Sequence, residues 1–134
     1  MSTKKTDPPD SPLTAKVLTR LREGREARLY DLLGAHPETG PDGESGTRFA
    51  VWAPGAKKVS VIGDFNDWDR SRAPLHRRRG TGIFEGRVPG TGAGDCYKFA
   101  VRAGRWQRIL KKADPFARAT EEPPRTASRI PAGA

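Results

Sequence analysis

The residues best equipped for chemistry lie in one polar loop, residues 63–69, which follows a run of β-branched residues. Its oxygen-bearing side chains belong to Asp64, Asn66, Asp67 and Asp69. Such a cluster is typical of calcium loops, which also need an oxygen ligand at the fifth position, glycine at the sixth and glutamate at the twelfth. Those positions hold Trp68, Asp69 and Leu75. The calcium pattern therefore fails, and the acids are predicted to cap turns.

The remaining candidates also lack the spacing of a catalytic or metal site. His36 and His76 lie far apart and have no cysteine or histidine partners at metal-binding spacing. The stretch Gly90–Gly94 lacks the lysine and the following helix of a phosphate loop. Ser60 and Ser71 lack the glycines of a nucleophile elbow. The sequence thus predicts no catalytic residue, no metal site and no cofactor.

Two aromatic rings, Phe65 and Trp68, stand inside the same polar loop. A ring among aspartates either plugs the end of the domain or is presented outward to a ligand. The sequence leaves both explanations open for Trp68. Trp52 lies in a predicted strand, where packing in the core or against another domain is the favoured interpretation.

Length and composition restrict the class of protein. The 134 residues suit one domain with tails and are too few for a catalytic barrel of about 250 residues. The formal charge of +9 is scattered along the chain, so a solvated basic surface is favoured over a specific nucleic-acid site. Cys96 is the single cysteine and is predicted to be a half-buried structural thiol in a reducing compartment. There is neither a signal peptide nor an apolar run of about 18 residues, so a cytoplasmic protein without a membrane segment is expected.

A helical lead-in is predicted before any strand. Residues 1–10 are rich in proline and charge and are expected to be a disordered tail. Ser11 and Pro12 indicate a helix start, and apolar residues follow at helical spacing, namely Leu13, Val17, Leu18 and Leu21. A second helical turn is predicted around Leu29–Leu33. The lead-in spans residues 11–36, and residues 36–46 are predicted to form a loop.

After residue 46 the apolar period changes to two, which is typical of strands. The pattern predicts strands at 47–53, 57–62, 82–88, 95–102 and 105–110, an edge piece at 74–76 and a last strand at 125–130. Tyr97, Phe99 and Val101 are expected to face the core, and Lys98 to face outward. About seven short strands predict an all-β antiparallel sandwich over residues 45–130, with a tail at 131–134.

Several stretches, in order and with compatible spacing, resemble the amino-terminal region of bacterial glycogen (1,4-α-glucan) branching enzymes. They are Tyr30–Pro37, Gly46–Pro54, Val59–Trp68, Gly82–Phe84, Tyr97–Phe99, Lys112–Ala117 and Pro124–Ser128. The likeness covers residues 29–130. Phe-Asn-x-Trp also occurs in related modules, but the combination favours branching enzymes over debranching enzymes and kinase-associated glycogen-binding subunits.

The resemblance implies an immunoglobulin-like β-sandwich of carbohydrate-binding module family 48, with a role in glycogen biosynthesis. In the family this module precedes an α-amylase-type barrel, which cleaves an α-1,4 link and re-forms it as α-1,6. The barrel would begin past Ser128, so this chain is expected to lack its aspartate nucleophile and glutamate acid/base and to be inactive alone. The end, Arg129–Ala134, departs from the family's last strand, which indicates a truncation or a shifted reading frame.

The resemblance also implies the sugar-binding residues. In glycogen-binding relatives, the tryptophan of Phe-Asn-x-Trp and a second tryptophan after the Tyr-Lys-Phe strand stack on glucose rings, and the lysine of that strand bonds sugar hydroxyls. Carried over, these are Trp68, Trp106 and Lys98, with Asn66 and Asp67 as hydroxyl partners by position. Trp106 lies one residue further from the lysine than in the closest modules. The expected partners are an α-glucan and, in the full-length enzyme, the catalytic barrel.

Two other functions stay open. Many such modules in branching enzymes serve as a brace on the barrel, which predicts a structural module with no sugar binding of its own. The +9 charge alternatively predicts a basic polyanion-binding domain, whose affinity would fall steeply with salt, whereas sugar binding would hardly respond.

Overall fold

The structure is a computed structural model that describes residues 13–23, 32–39, 43–78, 82–103, 108–114, 119–120 and 127–131. Besides a short 3₁₀ helix at Asp64–Asn66, these residues form one α-helix and nine antiparallel strands. They are α1 (Ala15–Arg22), β1 (Gly34–Thr39), β2 (Ser45–Trp52), β3 (Ala56–Gly63), β4 (His76–Arg78), β5 (Ile83–Pro89), β6 (Cys96–Ala103), β7 (Arg108–Lys112), β8 (Ala119–Thr120) and β9 (Ser128–Arg129). The predicted all-β antiparallel sandwich with a short N-terminal helix is confirmed.

The strands form two sheets with the core between them. Sheet A has the order β1-β2-β5-β4, and sheet B has the order β3-β6-β9-β8, with β7 also paired to β6. The inward face of β6 carries Tyr97, Phe99 and Val101, as the alternation predicts. Phe49 of β2 meets Tyr97 and Phe99 edge to face, with ring centroids 5.0 and 6.4 Å apart. Such pairs are favoured over flat stacking because the positive ring edge meets the negative face.

The helix covers the outer face of sheet A. Thr14 caps α1, because its Oγ1 accepts a hydrogen bond of 3.3 Å from the Val17 N–H. The predicted cap at Ser11 lies outside the described residues, and the helix begins later than expected. The lead-in packs an apolar cluster on sheet A that consists of Leu13, Leu18, Leu32, Leu33, Ala50 and Ile83.

A buried ionic cluster ties the lead-in to sheet A. Glu85 of β5 is fully buried and accepts a 2.6 Å hydrogen bond from Arg78, while Arg48 Nη1 lies 3.6 Å from its other oxygen. Arg78 also donates to the Leu13 carbonyl, and Arg48 donates to the Leu32 carbonyl at 3.1 Å. The expectation of a solvated basic surface is therefore wrong for these two arginines.

Two predicted boundaries are wrong. Residues 36–46 were expected to be a loop, but β1 pairs with β2 from Gly34 opposite Ala50 to Thr39 opposite Ser45. Pro37 fits there because β1 is an edge strand. The edge piece expected at 74–76 is instead β4, and Pro74 forms an isolated bridge with Ser60. In both places pairing with a neighbouring strand decides the structure, and the local residue pattern does not show it.

The last strand, β9, forms although residues 129–134 depart from the sequence that the resemblance leads one to expect. β9 pairs with Cys96 and Tyr97 of β6. Its Ser128 Oγ accepts a 2.9 Å hydrogen bond from the Asp114 N–H, and the Asp114 carboxylate accepts one from the Tyr97 hydroxyl. Burial and the neighbouring Asp114 carboxylate raise the pKa of Tyr97 well above its ordinary value of 10.0. This polar cluster fixes β9 at the end of β6.

Candidate functional site

The polar loop at 64–75 returns along the free edge of β3. The Val61 N–H donates to the Ala73 carbonyl at 3.0 Å, and the Leu75 N–H donates to the Val59 carbonyl at 2.8 Å. These bonds satisfy edge groups of β3 that another chain could otherwise pair with. The loop is thereby held beside the outer face of sheet B, opposite the face of the molecule that α1 covers.

Asn66 holds the loop together from inside. Its side chain is buried, its Oδ1 accepts from the Gly63 N–H at 3.1 Å, and its Nδ2 donates to the Val61 carbonyl at 3.0 Å. Residue 63 has to be a glycine, because an added Cβ would clash with the Cys96 carbonyl oxygen and the Phe65 ring. The amide of Asn66 is thus already engaged within the protein.

Trp68 has an unusual backbone. Asp67 and Trp68 have φ angles of 56° and 57°, the left-handed region. This region costs roughly 1–2 kcal/mol for residues with a Cβ, and a bulky aromatic residue is rare there. The Trp68 N–H donates to the Gly63 carbonyl at 2.9 Å, and its indole Nε1 donates to Asp64 Oδ1 at 2.8 Å. The surrounding loop therefore fixes both the backbone and the ring of Trp68, which is half-buried.

A groove of about 640 Å³ runs over the outer face of sheet B beside this loop. Its floor includes Ser60 of β3 and Ala100 of β6, which are direct cross-strand partners. One wall is residues 69–71, immediately after Trp68, and the other includes Ile109 of β7. The small floor residues leave room above the sheet that larger side chains would fill.

Lys98 lies on β6 opposite the end of β3 that leads into the Trp68 loop. It is two positions before Ala100 on the same outward face of β6, and it stands opposite Ile62 of β3. Ile62 is fully buried although it is on the outward face of β3. Lys98 itself is half-buried, and it forms no ion pair within the described part of the chain.

Two loop carboxylates differ in their surroundings. Asp69 accepts hydrogen bonds from the Ser71 N–H at 2.9 Å and the Ser71 hydroxyl at 2.7 Å, which lower the pKa of Asp69 below its ordinary value. The Asp67 side chain is 85% exposed and lies 3.5 Å from Arg72. Asp69 thus shapes the loop, whereas Asp67 remains accessible to a ligand.

The structure places the residues that the sequence singles out around the groove and not in its lining. Asp67 and Trp68 directly precede the groove residue Asp69, Lys98 lies two positions before the groove residue Ala100 on β6, and Asn66 is turned into the loop. Trp106 falls outside the described residues, in the connection between β6 and β7. Sequence reasoning missed Ser60, Ala100 and Ile109 as groove residues. Their outward positions follow from strand alternation, but only the pairing of β3, β6 and β7 sets them in adjacent rows.

Trp52 lies at the opposite end of the sandwich, because it precedes the start of β3 whereas Trp68 follows its end. Its side chain is 61% exposed, so packing of Trp52 in the core is ruled out. It borders a cleft of about 500 Å³ between the sheets, together with Pro54, Phe99 and Val101. Packing against another domain, the other interpretation from the sequence, fits this exposure.

The described residues offer neither a metal-binding cluster nor a membrane-spanning helix. They contain no group of three or more histidines, cysteines, aspartates or glutamates placed to hold a metal ion. Among them, no helix is long and apolar enough to span a membrane.

The fold is thus a two-sheet sandwich with a fixed aromatic loop beside a surface groove. The family model described as carbohydrate-binding module 48 (isoamylase N-terminal domain) matches residues 32–117. The chain belongs to this family. It is 54% identical over 114 residues to the 1,4-alpha-glucan branching enzyme GlgB of Burkholderia lata, a match that covers 85% of this chain and 15% of the relative.

A second relative, the 1,4-alpha-glucan branching enzyme GlgB of Cereibacter sphaeroides, is 48% identical over 110 residues, covering 82% of this chain and 15% of the relative. The chain thus spans about 15% of the length of these curated relatives.

Solved structures support the fold. The pullulanase from Bacillus acidopullulyticus superposes with a TM-score of 0.59 at 22% identity, covering 86% of this chain and 13% of that one. Ligand-free PulA from Klebsiella pneumoniae superposes with a TM-score of 0.58 at 21% identity, covering 74% of this chain and 9% of that one. At this identity the likeness shows the sandwich fold alone.

Proposed function

We propose that this chain is a non-catalytic α-glucan-binding module of a 1,4-α-glucan branching enzyme in glycogen biosynthesis. The observation that carries the proposal is the fixed Trp68 loop beside the outer groove of sheet B. A left-handed backbone at a tryptophan is costly, and such costs are typical of functional sites. The similarity to branching enzymes supports the choice of ligand.

The groove suits the chemistry of an α-glucan. A glucan is neutral, with apolar C–H faces and a rim of hydroxyl groups. The Trp68 indole provides a flat apolar surface for one face, the Lys98 ammonium donates to hydroxyl oxygens, and the exposed Asp67 carboxylate accepts from hydroxyl groups. Asn66, first expected to bond hydroxyls, is proposed to position Trp68 through its two loop hydrogen bonds. Trp106 stays in the proposal through the family resemblance.

The contribution of Trp68 can be estimated from its burial. Because the ring is half-buried, only part of its surface is left for a sugar. A glucose stacked on it removes on the order of 80 Å² of apolar surface from water, counting both partners, which is worth about 2 kcal/mol. Losing it corresponds to roughly a 30-fold weaker association.

Affinity electrophoresis in gels with and without glycogen tests the proposal. The wild-type chain should be retarded by glycogen, and Trp68→Ala should migrate almost as in the glycogen-free gel. Trp52→Ala is the matched control, because Trp52 is the more exposed tryptophan and lies at the other end of the sandwich. If the wild-type chain is not retarded by glycogen and migrates like Trp68→Ala, the sugar-binding proposal is wrong. If both are retarded equally, the role given to Trp68 is wrong. Equal loss in both tryptophan variants would contradict the assignment to this groove.

The Trp52 end favours a second role, docking of the rest of a branching enzyme. Trp52 and Leu110 are large apolar residues that are 61% and 38% exposed to solvent. A mostly apolar cleft lies beside Trp52. Exposed apolar surface of this kind marks an interaction site. In the isolated chain it should cause self-association, which sedimentation velocity measures. Trp52→Ser should reduce that association and leave glycogen retardation unchanged; no change in sedimentation would count against docking at this end.

Two further proposals, the lack of catalysis and the compartment, follow from the module's proposed place in a longer enzyme. The isolated chain should not alter the iodine colour of amylose in a branching assay, since it is proposed to bind glucan without transferring it. Its proposed compartment is the cytoplasm, because the sequence holds a single cysteine, Cys96, and so forms no internal disulfide, which suits a reducing environment.

A further inference from the structure

The strand β7, which pairs with β6 alone among the described strands, has an exposed inward face. Leu110 is the cross-strand partner of Val101 on β6. Lys112 is likewise the partner of Phe99, so both β7 side chains point to the side of sheet B on which the core lies. The two β6 residues are buried, whereas Leu110 is 38% exposed and Lys112 is exposed as well. The described strands of sheet A therefore leave this corner of sheet B open.

The corner opens into the cleft of about 500 Å³ that Trp52 borders. Phe99 and Val101, both buried, line this cleft together with Trp52 and Lys112. Four alanines are also part of the lining, and their short side chains leave room for a group from outside: Ala53, Ala56, Ala103 and Ala113. Among the described residues that line the cleft, Lys112 alone carries a charge, and it forms no ion pair with another described residue. The cleft is thus an apolar space with one cation at its β7 side.

The Trp52 wall of the cleft is held by close packing on Gly82. A Cβ at this glycine would lie 2.9 Å from the Pro54 Cα and 3.3 Å from the Trp52 Nε1. The glycine has a φ of 77°, and its carbonyl accepts a 2.8 Å hydrogen bond from the Ala53 N–H. Because this wall is already formed, a partner would not have to order it on binding.

We propose that this corner binds an extended segment of the rest of a branching enzyme that carries an apolar residue and, two positions away, an aspartate or glutamate. The inference rests on the docking role proposed above for the Trp52 end. Leu110 and Lys112 are two positions apart on one face of β7, about 7 Å along the strand. Side chains on one face of an extended segment repeat at the same spacing. The apolar side chain of the segment would therefore enter the cleft beside Leu110 while its carboxylate meets Lys112.

An acidic segment is favoured over other occupants. The chain has a formal charge of +9, so a second copy would bring another basic surface to Lys112. A sugar chain needs partners for its many hydroxyl groups, which a mostly apolar lining does not offer. An inward-pointing lysine on an edge strand can also serve to prevent pairing with another chain. That role is an outcome of the test.

A peptide array identifies the segment. Overlapping short peptides represent the part of the Burkholderia lata GlgB outside its match to this chain, which covers 15% of that relative. The array is probed with the labelled 134-residue chain, and the retained peptides should share the apolar-x-acidic pattern. In solution, fluorescence polarisation should show about threefold weaker binding at low salt when the acidic residue becomes its amide. Serine in place of the apolar residue should weaken binding at least about tenfold.

Matched variants of the chain locate the contact. Lys112→Met should bind the best peptide about threefold more weakly than wild type and should reduce the salt dependence of binding. Lys111→Met is the control, because it removes the same charge from the neighbouring position, which faces outward with Ala100. Both variants should be retarded by glycogen as wild type is, which shows that they are folded. Equal effects of the two lysine variants on peptide binding would contradict the assigned position.

The outcomes separate this inference from the docking proposal. If Trp52→Ser lowers self-association but no peptide is retained, docking stands and the inference is wrong. If Trp52→Ser leaves sedimentation unchanged and no peptide is retained, docking fails and the inference falls with it. Retained peptides without the apolar-x-acidic pattern would overturn the inference. Stronger self-association of Lys112→Met than of Lys111→Met, with unchanged peptide binding, would overturn it in favour of a lysine that prevents edge pairing.

Discussion

Replacing Glu85 by glutamine should destabilise the module strongly. Glu85 is fully buried and lies between Arg78 at 2.6 Å and Arg48 at 3.6 Å. The Arg78 and Arg48 side chains are themselves only 4% and 9% exposed, so water cannot replace the lost carboxylate. Removing one partner of a buried ion pair costs about 3–5 kcal/mol, because a buried charge loses its counter-charge. Here Arg78 and Arg48 both lose the Glu85 carboxylate, so a loss within that range is expected.

Urea denaturation followed by circular dichroism measures the change. A domain of this kind has a total stability of about 5–15 kcal/mol, and urea slopes are roughly 1–3 kcal/mol per molar. A loss of about 4 kcal/mol should therefore lower the urea midpoint by about 2 M. Glu38→Gln is the matched control on the same sheet, since Glu38 pairs with Arg87 at 3.4 Å with side chains 35% and 26% exposed. It should cost less than about 1 kcal/mol.

The location of the damage is a second readout. Arg78 and Arg48 hold the carbonyls of Leu13 and Leu32, so Glu85→Gln should loosen the lead-in first. Amide hydrogen exchange in α1, for example at Leu18, should accelerate before exchange in β6 does. Because the groove lies on sheet B, the folded variant should still bind glycogen. A Glu85→Gln variant within about 1 kcal/mol of Glu38→Gln would refute the reasoning about the buried cluster.

Two further predictions concern other buried polar groups. Asn66→Ala should cost about 1–3 kcal/mol, because the buried Gly63 N–H and Val61 carbonyl lose their partner, and it should weaken glycogen retardation about as much as Trp68→Ala. Urea denaturation and glycogen gels measure the two effects, and full retardation by a folded Asn66→Ala would contradict its positioning role. The raised pKa of Tyr97 means that its contribution to stability is fully present below pH 10.0 and is lost as the pH rises through the higher folded value. The phenolate absorbance in the near ultraviolet should therefore rise with pH by the same amount in wild type and in Tyr97→Phe for as long as the protein stays folded. An extra phenolate signal in folded wild type would show that Tyr97 is not held protonated.

Local patterns in the sequence determined most of the sandwich. The alternation at 95–102 correctly placed Tyr97, Phe99 and Val101 in the core, and the leucine spacing correctly predicted α1. The strands β2, β3, β5 and β6 were predicted to within a few residues, because their apolar faces meet the core directly. The family motifs pointed to the Trp68 loop and to Lys98. The sequence also argued against a calcium loop at 64–69, because the residues that such a loop needs at its fifth, sixth and twelfth positions are missing.

The pairing partners of weakly patterned segments could not be predicted. β1 contains Pro37 and no alternating apolar residues, and it is a strand because β2 offers a free edge. The positions of Arg48, Arg78 and Glu85 looked like ordinary surface charge, since a buried ion cluster leaves no periodic signal along the chain. Only the register of β2, β4 and β5 brings these three side chains together.

In the candidate site, too, some features were predicted from the sequence and others were decided only by the tertiary structure. The sequence by itself identified a tryptophan among aspartates and, through its motifs, the family, on which the proposed ligand class rests. Only the tertiary structure decided that Asn66 is turned inward, that Trp68 is held in a left-handed backbone, and that Trp52 is exposed at the far end. The physical reason is that a loop conformation and a groove depend on hydrogen bonds and strand pairings between residues distant in sequence.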